Sequence, residues 1–261
     1  PYPGFQGTVA QALRPYPQFQ GIGDPQATVG ESDYNSLQMK VQQRLSHGLD
    51  FLVSYTLSKN ITTVDDAFGW GGAGSTDVKS LSLERALATA GNGPGDRTHN
   101  LVAAFGYELP LSKGVSSRAA KIALGGWKIS GILQYASGGA LGLGYPNNLG
   151  NTVFNNGGRY SVVQGQSRTR DVANVWPGAG WLFNVNAFAP PGSYSVGNAA
   201  RTYGDIRGFP YRNEDFAVAK QFSISEHKHL EIRCDVLNAF NRSIWNNPNT
   251  SVTAPSRIQG G

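Results

Sequence analysis

The sequence predicts an all-β fold, an antiparallel up-and-down transmembrane β-barrel of which about six to eight strands are present. Apolar and polar residues alternate with period two in several segments, which is typical of strands that have one apolar and one polar face. The connections between these segments are alternately short and long. This sorting is expected when short turns meet at one end of a barrel and long loops at the other.

Residues 34–60 form the clearest hairpin of the chain. One set of alternating positions is apolar and comprises Leu37, Met39, Val41, Phe51, Val53 and Tyr55. A three-residue turn over 46–48 keeps these positions opposite one another, whereas a two-residue turn would mix the two faces. The predicted register pairs Val41 with Val53 and places Arg44 opposite Asp50.

Further strands are predicted over 100–111, 126–145, 213–225 and 230–240. A three-residue turn at 226–228 joins the last two and places Ile224 opposite Leu230. Lys220 breaks the pattern, because it lies on the apolar side of its strand. Either it reaches the membrane interface or a bulge reverses the facing of the strand.

Two connections are long, 61–96 and 146–212, and both are predicted to be irregular loops on the outer side of the membrane. The first is rich in Gly, and the second is dense in Asn, Gly and Pro. The connection over 112–125 is of intermediate length. The short turns lie on the opposite, periplasmic side.

The composition excludes several classes of protein. Charged residues make up 15% of the 261 residues, against about 25% in ordinary soluble domains. The single Cys234 excludes an intramolecular disulfide and a multi-cysteine zinc site. The basic residues behind the net charge of +5 are scattered, so no nucleic-acid partner is expected. No signal peptide is present and neither end looks like a natural terminus, so we expect part of a longer protein.

No residue pattern predicts catalysis, a metal site or a cofactor. The four histidines fall in turns, in a loop or at a strand start, and they are His47, His99, His227 and His229. The pair Asp65-Asp66 lacks the spacing of a calcium loop, and the glycine run 69–74 lacks the ending of a phosphate loop. We therefore expect no enzyme, no metal ion and no cofactor.

Seven stretches carry a family resemblance: RPYPQF (14–19), SDYNSLQMKVQQRLSHGLDFLVSYTLSKN (32–60), DRTHNLVAAFGYELP (96–110), GGWKISGILQYASG (125–138), FNVNAFAPP (183–191), GNAARTYGDIRGFPYRNEDFAVAKQF (197–222) and LEIRCDVLNAFNRSIWNNPN (230–249). In this order they resemble the C-terminal barrel of TonB-dependent, Oar-like outer-membrane receptors. These receptors have an N-terminal carboxypeptidase-regulatory-like domain and are common in Acidobacteria. The resemblance covers nearly the whole chain, although each stretch alone is a weak signal.

The resemblance implies a barrel of about 22 strands in the bacterial outer membrane, of which residues 1–261 are the C-terminal part. It implies uptake or export of a substrate that the sequence does not name. It also implies coupling to the TonB system through a segment near the receptor's N-terminus, which this sequence lacks.

The barrel interpretation assigns faces and loops to particular residues. Outer-membrane lipid is expected against the apolar face, and the lumen-facing residues are Gln38, Lys40, Arg44, Asp50, Glu231, Arg233 and Asp235. Ligand is expected to contact aromatic residues of the outer loops, namely Phe68, Trp70, Tyr160, Trp176 and Trp181. Two alternatives stay open. One is a fragment that assembles through open strand edges into an oligomer or extracellular fibre, and the other is a soluble β-sandwich binding module.

Overall fold

A computed structural model describes residues 3–7, 9–13, 15–19, 32–62, 96–143, 160–169, 183–190, 197–200, 202–225, 228–247, 250 and 252. The strands in these ranges are β1 (Ser32–Ser46), β2 (Leu49–Thr62), β3 (His99–Glu108), β4 (Trp127–Ala136), β5 (Ala140–Gly142), β6 (Ser161–Val162), β7 (Phe188–Ala189), β8 (Thr202–Arg207), β9 (Tyr211–Ser225) and β10 (Lys228–Val236). The helices are α1 (Val9–Ala12), α2 (Arg118–Leu124) and a 3-10 turn at Val185–Ala187.

One antiparallel sheet dominates the structure, with strand order β1–β2–β3–β4–β9–β10. Each strand pairs antiparallel with the next, so the chain runs up and down through the sheet. This confirms the predicted all-β, up-and-down architecture. In the described part of the chain, β1 and β10 each pair on one side only, and the sheet does not close.

The connections of the sheet are sorted by length between its two ends. Residues 47–48, 109–126 and 226–227 connect strands at one end of the sheet, and residues 63–98 and 137–210 connect strands at the other end. The predicted alternation of short and long connections is therefore confirmed. We call these ends the short-connection end and the long-connection end.

The β1–β2 hairpin has the predicted pairing but a different turn. Val41 pairs with Val53, yet the loop contains only two residues, His47 and Gly48, because Ser46 pairs with Leu49. Both loop residues have positive φ, 54° and 84°, as a type I′ turn requires. A bulge between Gln43 and Ser46 takes up the register difference, so the predicted three-residue turn is wrong while the faces stay separate.

The predicted pair of Arg44 and Asp50 falls inside the bulge, between the pairs Gln43–Phe51 and Ser46–Leu49. The bulge interrupts the register at Arg44, and Asp50 pairs with Gly106 on its other side. The Asp50 carboxylate instead lies 3.9 Å from Nζ of Lys128, which reaches it from β4.

The β9–β10 hairpin is shifted from the predicted register. Leu230 pairs with Phe222 and not with Ile224, because the loop is two residues long and a bulge separates Lys228 from His229. The shift is by two positions along the partner strand. A two-residue shift keeps every side chain on its predicted face.

The long connection between β4 and β9 is folded where it is described, so the prediction of an irregular segment over 146–212 is wrong for those residues. Strands β5 and β8 pair with each other, as do β6 and β7. Their side chains form a packed core of Leu141, Leu143, Tyr160, Phe183, Ala187, Phe188, Ala199, Ala200, Tyr203 and Ile206. We call the described residues of 137–210 the outer unit.

Candidate functional site

The strand register places the predicted lumen residues on one face of the sheet. Asp50 and Asp235 lie on the same cross-sheet row, which runs through Gly106, Ser130 and Ala217. Residues of one row face the same side, and positions two apart along a strand share that side. The face therefore carries Gln38, Lys40, Asp50, Glu231, Arg233 and Asp235, and we call it the polar face.

A cavity of about 560 Å³ opens on the polar face. It is lined by residues from all six strands of the sheet, including Arg44, Asp50, Ser130, Asp215, Arg233 and Asp235. Residues from both edge strands line this one space, so the polar face is concave. Arg44, which was also predicted to face the lumen, therefore lines the same cavity as the other residues of the polar face.

Charged groups in this cavity are paired but remain accessible to water. Arg233 lies 2.7 Å from Asp235, and the two side chains are 55% and 49% exposed. The Asp215 carboxylate accepts hydrogen bonds from the backbone N–H of Asn238 at 2.7 Å and from the amide of Asn213 at 2.9 Å. Lys128 and Ser130 lie on the same face, as their alternation with the apolar residues of β4 predicts.

The opposite face, which we call the apolar face, carries the predicted lipid-facing residues. One of its rows joins Met39, Tyr55, Leu101 and Tyr135 across four strands. Large apolar side chains are exposed along both edge strands, for example Leu37, Met39, Val41, Leu230, Ile232 and Val236. A sheet in water would leave this surface unfavourably hydrated, whereas a bilayer covers it.

Glu214 is a buried carboxylate on this apolar face. Its side chain is 1% exposed and accepts hydrogen bonds from the hydroxyl of Tyr135 at 2.8 Å and from Arg242 at 3.1 and 3.2 Å. The hydrogen bond with Glu214 raises the pKa of the Arg242 guanidinium. Arg242 comes from the segment after β10, which the backbone bond from Ala239 N–H to the Glu214 carbonyl holds over β9. The sequence-based prediction did not include Glu214, although this residue lies two positions before Phe216 in β9 and therefore on the same, apolar side.

Lys220 lies buried on the apolar face, 6% exposed. Its ammonium donates to the carbonyls of Ile122 at 2.8 Å and Ala123 at 3.0 Å, and also to that of Gly125. The carbonyls of Ile122 and Ala123 belong to the last turn of α2, where they lack partners within the helix and carry its negative dipole end, and Gly125 is the C-cap residue. The register of β4 with β9 is unbroken at Lys220, so no bulge reverses its facing. The buried ammonium is compensated by three carbonyl acceptors at the end of α2.

A second buried ion pair fastens the outer unit to the sheet. Asp96, whose side chain is 1% exposed, lies 2.7 Å from the Arg207 guanidinium and also accepts from the Asn60 backbone N–H at 2.7 Å. Arg207 further donates to the carbonyls of Asp96 at 3.1 Å and Gly138 at 3.0 Å. Four chain segments thus converge on one charge pair at the long-connection end.

The predicted ligand-contacting aromatics differ in how far the structure describes them. Tyr160 lies in the core of the outer unit, 1% exposed, and its hydroxyl has no hydrogen-bond partner there. The ring therefore packs inside the outer unit and is not exposed on its surface. Four others lie outside the described residues, namely Phe68, Trp70, Trp176 and Trp181.

Two kinds of feature are absent from the described ranges. No helix there is long and apolar enough to span a membrane. No group of three or more His, Cys, Asp or Glu side chains in those ranges converges as metal ligands would.

Comparison with known proteins gives one match. A family model described as an outer membrane beta barrel domain matches residues 2–261. No curated protein and no solved structure matches the chain.

Proposed function

The chain belongs to the family of outer membrane beta barrel domains, and on this basis we propose that it is the C-terminal part of a TonB-dependent, Oar-like receptor barrel. In this proposal the chain supplies barrel wall, lumen surface and outer ligand-capturing loops. It performs no catalysis. TonB coupling and energised transport belong to other segments of the receptor.

The observation that carries this proposal is the folded outer unit. A connection that served only to join β4 to β9 would need no core, yet this one has a core of ten buried side chains, among them Tyr160, Phe188 and Tyr203. The Asp96–Arg207 pair then holds the unit on the sheet. A loop fixed in this way presents a pre-organised surface, which lowers the entropic cost of binding a ligand.

The polar face supports the lumen assignment in the same proposal. Its cavity is wet, charged and concave, and its ion pairs are about half exposed. Such a surface is suited to a water-filled interior or to contact with a plug. The remaining barrel strands would pair with the free edges of β1 and β10.

A loop-exchange experiment in the full receptor tests the proposal. Medium components whose uptake depends on the receptor are first identified by mass spectrometry, from wild-type and receptor-null cells. Exchange of 146–206 for a short linker leaves Arg207 and β9 in place, and it is expected to abolish their uptake while the barrel still inserts. A control exchanges His47-Gly48 for Asn-Gly and should leave uptake intact. Unchanged uptake after the loop exchange would refute the ligand-capturing role.

Self-assembly is the second candidate, favoured by the two strand edges that are open within the described sheet. Unpaired edges can recruit strands from copies of the same chain. Electron microscopy of the purified chain separates the candidates, because regular polymers support assembly and isolated detergent-bound particles support the receptor. The soluble β-sandwich gains no support, since the large sheet is a single meander and not half of a face-packed pair.

A further inference from the structure

The connection between β3 and β4, residues 109–126, is basic and partly apolar and contains no Asp or Glu. Its positive side chains are Lys113, Arg118 and Lys121, and its exposed apolar side chains are Leu111, Ile122 and Leu124. Arg118, Lys121 and Ile122 stand three and four positions apart, so they share one side of α2. Charge and apolar surface are thus presented together.

Two side chains of the apolar face hold α2 in place. The ammonium of Lys220 donates to the carbonyls of Ile122 at 2.8 Å and Ala123 at 3.0 Å. The indole N–H of Trp127 donates to the Ala123 carbonyl at 3.0 Å. The C-terminal end of α2 therefore lies on the apolar side of the sheet, at the short-connection end.

At this end of the sheet the apolar face is therefore bordered by positively charged side chains. Lys220 also lies over two aromatic rings, 5.3 Å from the Trp127 centroid and 5.1 Å from the Phe222 centroid. Tryptophan with neighbouring basic residues is the composition found where a protein crosses from hydrocarbon to headgroups. Long basic side chains there reach the phosphate layer while their stems stay in apolar surroundings.

We propose that residues 109–126 form a membrane-interface anchor that binds the headgroups of anionic glycerophospholipids. The anionic phosphate complements Arg118 and Lys121, and Ile122 enters the acyl boundary beside the apolar face. The inference rests on membrane insertion of the sheet and not on the receptor role, so either can fail without the other. Each basic residue near an anionic surface should strengthen binding about fivefold.

The test places an environment-sensitive dye at residue 119, by A119C on a C234S background. The labelled protein is inserted into phosphatidylcholine nanodiscs with increasing phosphatidylglycerol. We expect the dye signal to saturate with phosphatidylglycerol. The half-saturating fraction should rise roughly fivefold in R118Q and rise further, or not be reached at all, in R118Q/K121Q. The charge-conserving R118K/K121R should match the parent protein.

A matched control removes one Lys and one Arg from the polar face, as K40Q/R44Q. It should leave the phosphatidylglycerol dependence unchanged, because these side chains lie on the polar face and the C-terminal end of α2 lies on the apolar side. A dye signal independent of phosphatidylglycerol, or an equal weakening by K40Q/R44Q, would overturn the anchor. Failure of the protein to enter nanodiscs would overturn both the anchor and membrane insertion of the sheet. Neither result depends on uptake, so the receptor role is tested separately by the loop exchange.

Discussion

At the scale of single side chains, three buried charged residues are the positions where a substitution should lower the stability strongly. Asp96, Glu214 and Lys220 are each nearly excluded from solvent. Each is matched by hydrogen-bonding groups from a distant part of the chain. Removing one partner leaves an uncompensated buried charge, which costs more than the loss of an exposed ion pair.

Asp96→Ala should detach the outer unit from the sheet. It leaves the Arg207 guanidinium without its carboxylate, and we expect the free energy of unfolding to fall by about 3 kcal/mol. Denaturant titration of the protein in lipid vesicles measures the change. The control is Asp205→Ala, which breaks the more exposed Arg168–Asp205 pair in the same unit. It should cost less than about 1 kcal/mol, and equal losses would contradict the anchoring role of Asp96.

Lys220→Met should loosen α2 from the apolar face. Hydrogen bonds to charged groups contribute about 1.5–3 kcal/mol, so local opening of the helix should increase at least about tenfold. Trypsin cleavage after Arg118 and Lys121, followed by mass spectrometry in nanodiscs, reports that opening. Lys128→Met is the control, because the Lys128 side chain is 46% exposed and its ammonium lies 3.9 Å from Asp50. A cleavage rate unaffected by Lys220→Met would show that the lysine does not hold the helix.

The two β-hairpins and the sheet rows are the features that matter at the scale of elements. Each hairpin combines a two-residue loop with a bulge, and each keeps its apolar and polar faces apart. Within the sheet, glycines lie under neighbouring side chains. Gly131 lies beneath the rings of Phe105 and Phe216, whose centroids are 6.4 Å apart.

Gly131→Ala should disturb the apolar face. A Cβ at this position would lie 2.8 Å from ring atoms of both Phe105 and Phe216, which have no free end to swing aside. We expect a loss of about 1–3 kcal/mol in the free energy of unfolding. Gly106→Ala meets the flexible ends of Asp50 and Lys128 on the polar face and should cost clearly less. The same denaturant titration compares them, and the reverse order would contradict the assigned facing.

Gly48→Ala should weaken the β1–β2 hairpin. The residue has φ 84°, a conformation that costs an L-residue roughly 1–2 kcal/mol. A Cβ would also lie 2.9 Å from the Glu108 carbonyl oxygen. His47→Asn should instead stabilise the turn, since Asn-Gly suits type I′ geometry. Denaturant titration should show a lower free energy of unfolding for Gly48→Ala and a higher one for His47→Asn. An unchanged free energy of unfolding in Gly48→Ala would argue for another turn geometry.

The whole molecule is a meander with a wet concave face, an apolar outer face and a folded unit at the long-connection end. Its packed core lies in the outer unit and not in the sheet. The sheet exposes apolar side chains on one side because lipid is the solvent for that side. Membership in the family of outer membrane beta barrel domains agrees with this division.

The period-two pattern made the faces of the sheet predictable, because every strand repeats it locally. The hairpin loops were not predictable, since a bulge adds a residue without a distinctive sequence signal. The buried pairs were not predictable either. Arg207 is 111 positions from Asp96, and the carbonyls that bind Lys220 lie as many as 98 positions away. Such contacts arise from the strand order, which period two does not encode.

The facing of the sheet is the central claim, and reaction of single cysteines with a water-soluble maleimide tests it most directly. On a C234S background, M39C, K40C, V53C and S54C are compared in vesicles and after unfolding. The structure predicts rapid labelling of K40C and S54C, and labelling at least about tenfold slower for M39C and V53C, whose side chains face lipid. Native Cys234, on the apolar face, should be protected in the same way. Equal labelling rates at neighbouring positions, or faster labelling of M39C and V53C, would contradict the account.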